Sequence, residues 1–348
     1  MTLALTALLV ACGGVVDHPA PAPVATASAA ARPTFTPAVV TIGQVGGISD
    51  AAIYIADAKG YFKEQGITLQ SSSFPSAANM VAPLLRGDLM VGGGASGAGI
   101  FNAIRTGTAM RIVADKGTLV PGHGYEGLVV RSDLADQIKS AKDLKGRTIA
   151  LAARDITPEV TLNTYLVTGG LTIKDVNVVV VPHAQMLAGF TGNGIDAGLP
   201  IEPFLTGILD SGKAKLLTRD DMVTPNFQTA VVFYSEQFAK QHDLALRFMT
   251  AYLQGARFFT DAFDKKDAVK RVEAIAILAK ATGFDSAQLE KVTMPGIDPN
   301  GRMNVDALIA TQDYMVAKGS QAAPIDIRAV VDLSFADEAV KALGPYSR

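Results

Sequence analysis

Ser49, Ser76, Ser96 and Thr157 each follow a strand-like or loop-like stretch and precede a helix-like one. At such a junction a side-chain oxygen can accept a hydrogen bond from the N2 or N3 amide, while the remaining free amides can meet an anion. Thr157-Pro158-Glu159 is the clearest of the four, because a proline in the first turn has no amide to lose. The competing reading is that all four simply cap helices. Gly47 and Ala95 belong to the same junctions, and Asp155 and Ile156 lead into Thr157 from the other half of the chain. Phe74 and Tyr125 can wall a pocket or belong to the core. Glu202, in Ile201-Glu202-Pro203, is either a ligand residue or a hydrogen bonder at a hinge.

Other patterns point to catalysis or cofactors and fall short. Val91 to Gly97 reads Val-Gly-Gly-Gly-Ala-Ser-Gly, which satisfies the G-x-G-x-x-G spacing, with Asp115 18 residues beyond the last glycine. It follows the third strand of the pattern rather than the first, so a dinucleotide site is rejected. The glycines are read instead as backbone that lets amides approach a bound ligand. Of the histidines, His123 is a candidate ligand contact or loop residue, His183 a weaker candidate, His18 lies in the Ala- and Pro-rich stretch before residue 39 and His242 on a long helix. A metal site needs three or four convergent ligands, and no His/Asp/Glu group has that spacing, so neither a metal nor a cofactor is expected. There is no G-x-S-x-G and no evident acid/base carboxylate pair, so the chain reads as a non-enzyme.

Composition narrows the class. The 348 residues are 49% hydrophobic and 18% charged, with a formal net charge of −2, enough for two cored domains. No Lys/Arg run marks a nucleic-acid partner. The single cysteine, Cys12, closes the run Leu3 to Ala11, which reads as a signal h-region ending in a lipobox whose thiol takes a lipid. Nine residues are too short to span a bilayer. No Lys or Arg precedes the run, which leaves open a start upstream of Met1; the alternative is a buried cysteine in a loose N-terminal segment. Residues 13–38, rich in Ala and Pro, read as a tether.

The elements that must position these residues begin at Val39. Strand-like runs at 39–45, 67–71, 89–92, 111–114 and 127–131 alternate with helix-like runs, and a second series runs at 147–152, 177–181, 195–199 and 215–217. A strand at 229–234 is followed by almost continuous helix, beginning with 236–263. This alternation predicts α/β architecture with mainly parallel sheets in two lobes. The expected division is residues 1–12 signal and lipidated Cys, 13–38 tether, 39–131 with 229–348 one lobe, and 132–228 the other. Two chain crossings between lobes predict a two-strand hinge.

Four segments resemble the nitrate/sulfonate/taurine-type periplasmic binding proteins, which are related to thiamine-pyrimidine synthases. They are VTIGQVGG…AAIYIADAKGYFKEQGITLQ, LLRGDLMVGG, IKSAKDLKGRTIALA and GNGIDAGLPIEPF, in the family's order over 39–204. The resemblance implies the type II periplasmic-binding-protein fold and a small-molecule ligand held between the lobes. It also implies a partnership with ABC permease subunits driven by a cytoplasmic ATPase; with the lipobox at Cys12, the expectation is a monomer attached to the cell envelope only through its lipid. Two alternatives stay open: a sensor that presents its ligand to a receptor, and an enzyme on the same fold of pyrimidine-precursor or menaquinone-pathway type. The first enzyme type carries a Cys-rich motif that this chain lacks. Helix starts favour a sulfonate or carboxylate, whereas Asp50, Asp155 and Glu202 leave an amine or neutral ligand open.

Overall fold

The computed structural model describes residues 35–347, so the expected signal, Cys12 and nearly all of the tether lie outside the described residues. Ten strands form: β1 Ala38–Gln44, β2 Ile67–Ser73, β3 Val91–Ala95, β4 Met110–Thr118, β5 Gly127–Arg131, β6 Thr148–Leu151, β7 Asn177–Val180, β8 Ala197–Gly198, β9 Ala214–Arg219 and β10 Gln228–Ser235. They make two five-stranded sheets, ordered β2-β1-β3-β10-β4 and β7-β6-β8-β5-β9. The second order repeats the first element for element, a symmetry that the sequence does not show.

In each sheet four strands run the same way and one, β10 or β5, runs against its neighbours. The reversed strand is the one that arrives from the other lobe. The parallel strands all end at the junction between lobes, so a chain that enters from that junction must run the opposite way. This corrects one expectation. Residues 127–131, read as the last strand of the first lobe, pair with β8 and β9 in the second sheet. The chain therefore crosses before Gly127 rather than after Arg131. The outward and return segments pair with each other, Leu119 N donating to Phe227 O at 2.9 Å and Asn226 N to Leu119 O at 2.6 Å.

The first lobe is closed by the C-terminal helices. The run expected as one helix over 236–263 breaks at Gln241 into Glu236–Lys240 and His242–Phe263. The longer helix buries Leu244, Ala245, Phe248, Met249, Tyr252, Ala256 and Phe259, a face at i, i+1, i+4, i+5 spacing that packs on the first sheet's core. Two helices in the second lobe, His183–Thr191 and Phe204–Asp210, escape the sequence pattern because they are short and interrupted or followed closely by glycines.

Inside the first lobe a charged pair is sealed from water. Lys116 and Asp50 have fully buried side chains, with Lys116 Nζ 2.8 Å from Asp50 Oδ1. Lys116 also donates to Ser49 Oγ at 3.0 Å, and Asp50 Oδ2 accepts Gly46 N at 2.9 Å. Burying such a pair is costly, but removing one partner is costlier, because the other charge is then left unpaired.

Two loop contacts join the lobes at matching positions. The loop after β1 meets the loop after β8, where Ile48 N donates to Glu202 O at 3.1 Å. The loop after β3 meets the loop after β6, where Gly97 and Ile156 form an antiparallel bridge. There Ala98 N donates to Asp155 O at 2.9 Å and Thr157 N to Ser96 O at 3.0 Å. In the matched sheet orders β1 corresponds to β6 and β3 to β8, so the two contacts exchange under the internal symmetry. The second contact requires a bare backbone: a Cβ on Gly97 would lie 2.1 Å from Asp155 O.

Two outcomes follow. Lys116→Met should lower stability in urea unfolding at neutral pH by about 3–5 kcal/mol, and adding Asp50→Asn should restore part of it; equal stability of wild type and Lys116→Met would contradict the pairing. Gly97→Ala should push the lobes apart at a cost of about 1–3 kcal/mol to the closed form, seen as a larger radius of gyration in X-ray scattering. An unchanged radius would mean that the contact does not hold the lobes together.

Candidate functional site

Two adjoining spaces lie between the lobes. An inner cavity of about 40 Å³ is lined by Ser49, Ser76, Ala95, Tyr125, Glu126, Ile156 and others. A wider basin of about 800 Å³ is lined by Gln44, Tyr54, Phe74, His183, Phe204 and the serines Ser71 to Ser73, among others. Val45, Pro75 and His183 line both.

None of the four hydroxyl residues caps its helix as expected. Ser49 lies inside a 3-10 turn, Ile48–Asp50, and its oxygen accepts from Lys116 instead. Ser76 stands at the start of a turn, but its hydroxyl donates to Asn79 Oδ1 at 2.8 Å. The helix after β3 begins at Ala98 with Gly97 as its cap, and the fully buried Ser96 Oγ has no partner. Thr157 is already the first helical residue, after Ile156, and its hydroxyl donates to Thr229 O at 2.8 Å across the lobes. The reasons differ: Ser49 is taken by Lys116 within its own lobe, Ser76 by Asn79 in the same turn, and Thr157 alone by a carbonyl of the opposite lobe. The amides behave more uniformly, since Ile48 N, Ala98 N and Thr157 N all donate to carbonyls of the opposite lobe.

The remaining candidates separate into lining and junction residues. Ala95 and Ile156 line the inner cavity and Phe74 the basin. Gly47 packs against the opposite lobe, where a Cβ would meet Ile201 Cδ1 at 2.3 Å. Asp155 adopts a left-handed backbone, φ 60°, and its carboxylate lies 2.5 Å from Lys318 Nζ, which also pairs with Glu159. Glu202 is fully buried at the junction, its Oε2 accepting Thr206 N at 2.9 Å and its Oε1 3.5 Å from the Arg219 guanidinium. Burial raises its pKa despite these partners. It lines neither space, so of its two readings the structure favours the junction. His123 also lines neither; its Nδ1 lies 3.1 Å from Met294 O.

The glycine run is explained by packing rather than by ligand approach at two of its three positions. A Cβ on Gly92 would lie 2.2 Å from the Phe233 ring, and one on Gly93 2.7 Å from Lys116 Cδ. Side chains of β10 and β4 therefore cross β3 where it is bare. Gly94 does line the inner cavity.

Sequence reasoning passed over Glu126, Gln44 and Lys116. Glu126 is 3% exposed and lines the inner cavity, and its Oε2 is buried without a hydrogen-bond partner. Burial, and then the nearby Asp220, hold its carboxyl well above the usual range. Gln44 Nε2 is likewise buried and unpartnered at the basin. A lone Glu after Tyr125, or a Gln ending a strand, carries no motif that could have singled it out. His183, read only as a weak candidate, faces both spaces. Its ring stacks on Phe204 with centroids 6.2 Å apart, and burial pushes its pKa down to about 4, so it is neutral at pH 7. Among the described residues no group of three or more His, Cys, Asp or Glu is placed to hold a metal, and no helix is long and apolar enough to cross a membrane. What the site offers is enclosure, aromatic and hydroxyl surface, and isolated polar atoms awaiting a partner.

A comparison of the sequence with curated proteins finds no match. Among solved structures the fold matches the alkanesulfonate-binding protein SsuA from Xanthomonas axonopodis pv. citri bound to MOPS, at 19% identity and TM-score 0.65 over 88% of this chain and 99% of that one. It matches the periplasmic nitrate-binding protein NrtA from Synechocystis PCC 6803 at 14% identity and TM-score 0.72, over 88% of this chain and 89% of that one. The desulfurization enzyme DSZB shares the fold at 17% identity and TM-score 0.62, over 88% and 99%. The fold is thus that of the type II periplasmic binding proteins, as the sequence motifs imply. The model of the NMT1/THI5-like family matches residues 48–264, more than half of the sequence, and the chain belongs to that family.

Proposed function

We propose that the chain is the solute-binding component of an ABC importer, taking up a small organic molecule between its lobes and delivering it to permease subunits driven by a cytoplasmic ATPase. The observation that carries this reading is the cleft itself: a basin and inner cavity at the strand ends, bounded by two lobes that touch through backbone hydrogen bonds between loops and a few side-chain pairs. A ligand that touches both lobes stabilises the closed form by its differential affinity for it. Ser49, Phe74, Ser76, Ala95 and Ile156 are the ligand contacts in this reading. Gly47, Ser96, Asp155, Thr157 and Glu202 act in closure, and the chain crossings form the hinge. The protein works as a monomer on the outer side of the membrane, held there by a lipid on Cys12.

The DSZB neighbour keeps an enzyme on this fold in view. Ser49 with Lys116 has the composition of a nucleophile–base dyad, but the amine is committed to Asp50 at 2.8 Å and sealed from the cleft. Binding without chemistry is the better account. The anion expected from free helix starts has less support, because three of those starts spend their first amides across the junction.

The test is to denature the purified full-length chain, identify by mass spectrometry what is released, and return it to stripped protein. At 100 times its Kd the released compound should add about 2.7 kcal/mol to stability and reduce the radius of gyration. It should come away chemically unchanged after prolonged incubation. Conversion to a product would contradict the binding role, and stabilisation with no change of radius would contradict closure.

A further inference from the structure

We propose that the cleft selects a planar neutral or cationic ligand that presents N–H donors to Glu126, and that it rejects anions. The inference rests on the binding-protein reading and names the ligand class of the same site. Its first support is a pair of buried, unpartnered polar atoms on residues that line the two spaces. Burial favours the protonated Glu126 carboxyl, and an N–H donor or cation drawn to Oε2 at the inner cavity favours its ionised, accepting form, while Gln44 Nε2, at the basin, can only donate. A buried polar atom left unpaired is unfavourable, so the complementary ligand supplies an N–H to one and an acceptor to the other. An amide or a nitrogen heterocycle carries both.

Charge gives the second support. Among the described residues that line the two spaces there is no lysine or arginine, and the one acidic side chain is Glu126, whose carboxyl burial holds well above the usual range. Lys116 approaches the floor but is spent on Asp50 and Ser49. The helix-start amides at Ile48, Ala98 and Thr157 donate to carbonyls across the junction. A sulfonate or carboxylate entering here would lose its hydration and meet no fixed positive charge. Shape is the third support: Tyr54, Phe74, His183 and Phe204 give the basin four ring surfaces, suited to a flat ligand. Ser49 fits the same picture, since its oxygen accepts from Lys116 and its own proton is free for a ligand acceptor.

Calorimetric titration of the full-length chain with four benzene derivatives of one shape tests the proposal: benzamide, benzamidine, benzoate and benzenesulfonate. Benzamide and benzamidine should bind at least tenfold more tightly than either anion. Glu126→Gln should weaken benzamidine at least tenfold and benzamide less, because the amide oxygen of Gln still accepts one N–H. Gln44→Met should weaken benzamide and spare benzamidine, and this arm stands if Glu126→Gln does not fold. Benzoate or benzenesulfonate binding as tightly as benzamide overturns the ligand class, as does unchanged benzamidine binding in Glu126→Gln. Either result, with a smaller radius of gyration on binding, leaves the binding-protein reading intact. If no derivative binds, the compound released by denaturing the protein decides: an anion without N–H donors overturns the ligand class, and a neutral or cationic N–H compound supports it. Release of nothing together with no binding overturns both readings.

Discussion

The structure turns on a place where two backbones touch. Gly97 and Ile156 pair as a single antiparallel bridge between lobes, flanked by hydrogen bonds from Ala98 N and Thr157 N. A carbonyl stands where any side chain on Gly97 would be, so the contact tolerates hydrogen alone. Its symmetry mate, from Ile48 N to Glu202 O, joins the other pair of loops. Because both contacts draw on helix starts, closure and anion binding compete for the same amides. A cleft that closes this way gives up the positive ends of its helices as a ligand site. The polarity of the site must then come from side chains.

Those side chains are few and isolated. Lys116, behind the lining residue Ser49, is paired with Asp50 and serves to fix Ser49. Glu126 retains an unpaired oxygen at the cavity wall, while His183 is held neutral beside it. Outside the lining, Lys318 ties Asp155 and Glu159 to the helix Val305–Lys318, so an ionic contact reinforces the backbone bridge from the far side. Charge thus gathers around the rim and beneath the floor, and the cavity keeps mainly neutral walls. Structural neighbours that bind sulfonate or nitrate share the frame without requiring the same lining.

Much of the frame was legible in the sequence. Alternating β-branched runs and helical stretches fixed the α/β class, and the motif order from Val39 to Phe204 carried the family. β5 was misplaced because an apolar run such as Gly-Leu-Val-Val reads the same whether it continues one sheet or opens the next; only pairing with β8 and β9 decides. The caps failed for a related reason. Ser96 and Thr157 have the residue types that caps require, yet their surroundings come from the opposite lobe, some sixty residues away in the chain. Gly92 and Gly93 looked like backbone made bare for a ligand, and they are bare for Phe233 and Lys116. Glu126 and Gln44 were invisible because an unmade hydrogen bond leaves no local pattern.

Amide hydrogen exchange, residue by residue, tests the closing junction most directly. Ile48 N, Ala98 N and Thr157 N lie in different segments of the chain and share nothing but the meeting of the lobes. When the compound released from the protein is returned to the stripped form, protection at these three amides should rise together. The amides of β1 and β6, which pair within single lobes, should change little. Protection that rises at one of the three without the others, or at none while ligand is bound, would contradict a cleft closed by backbone contact.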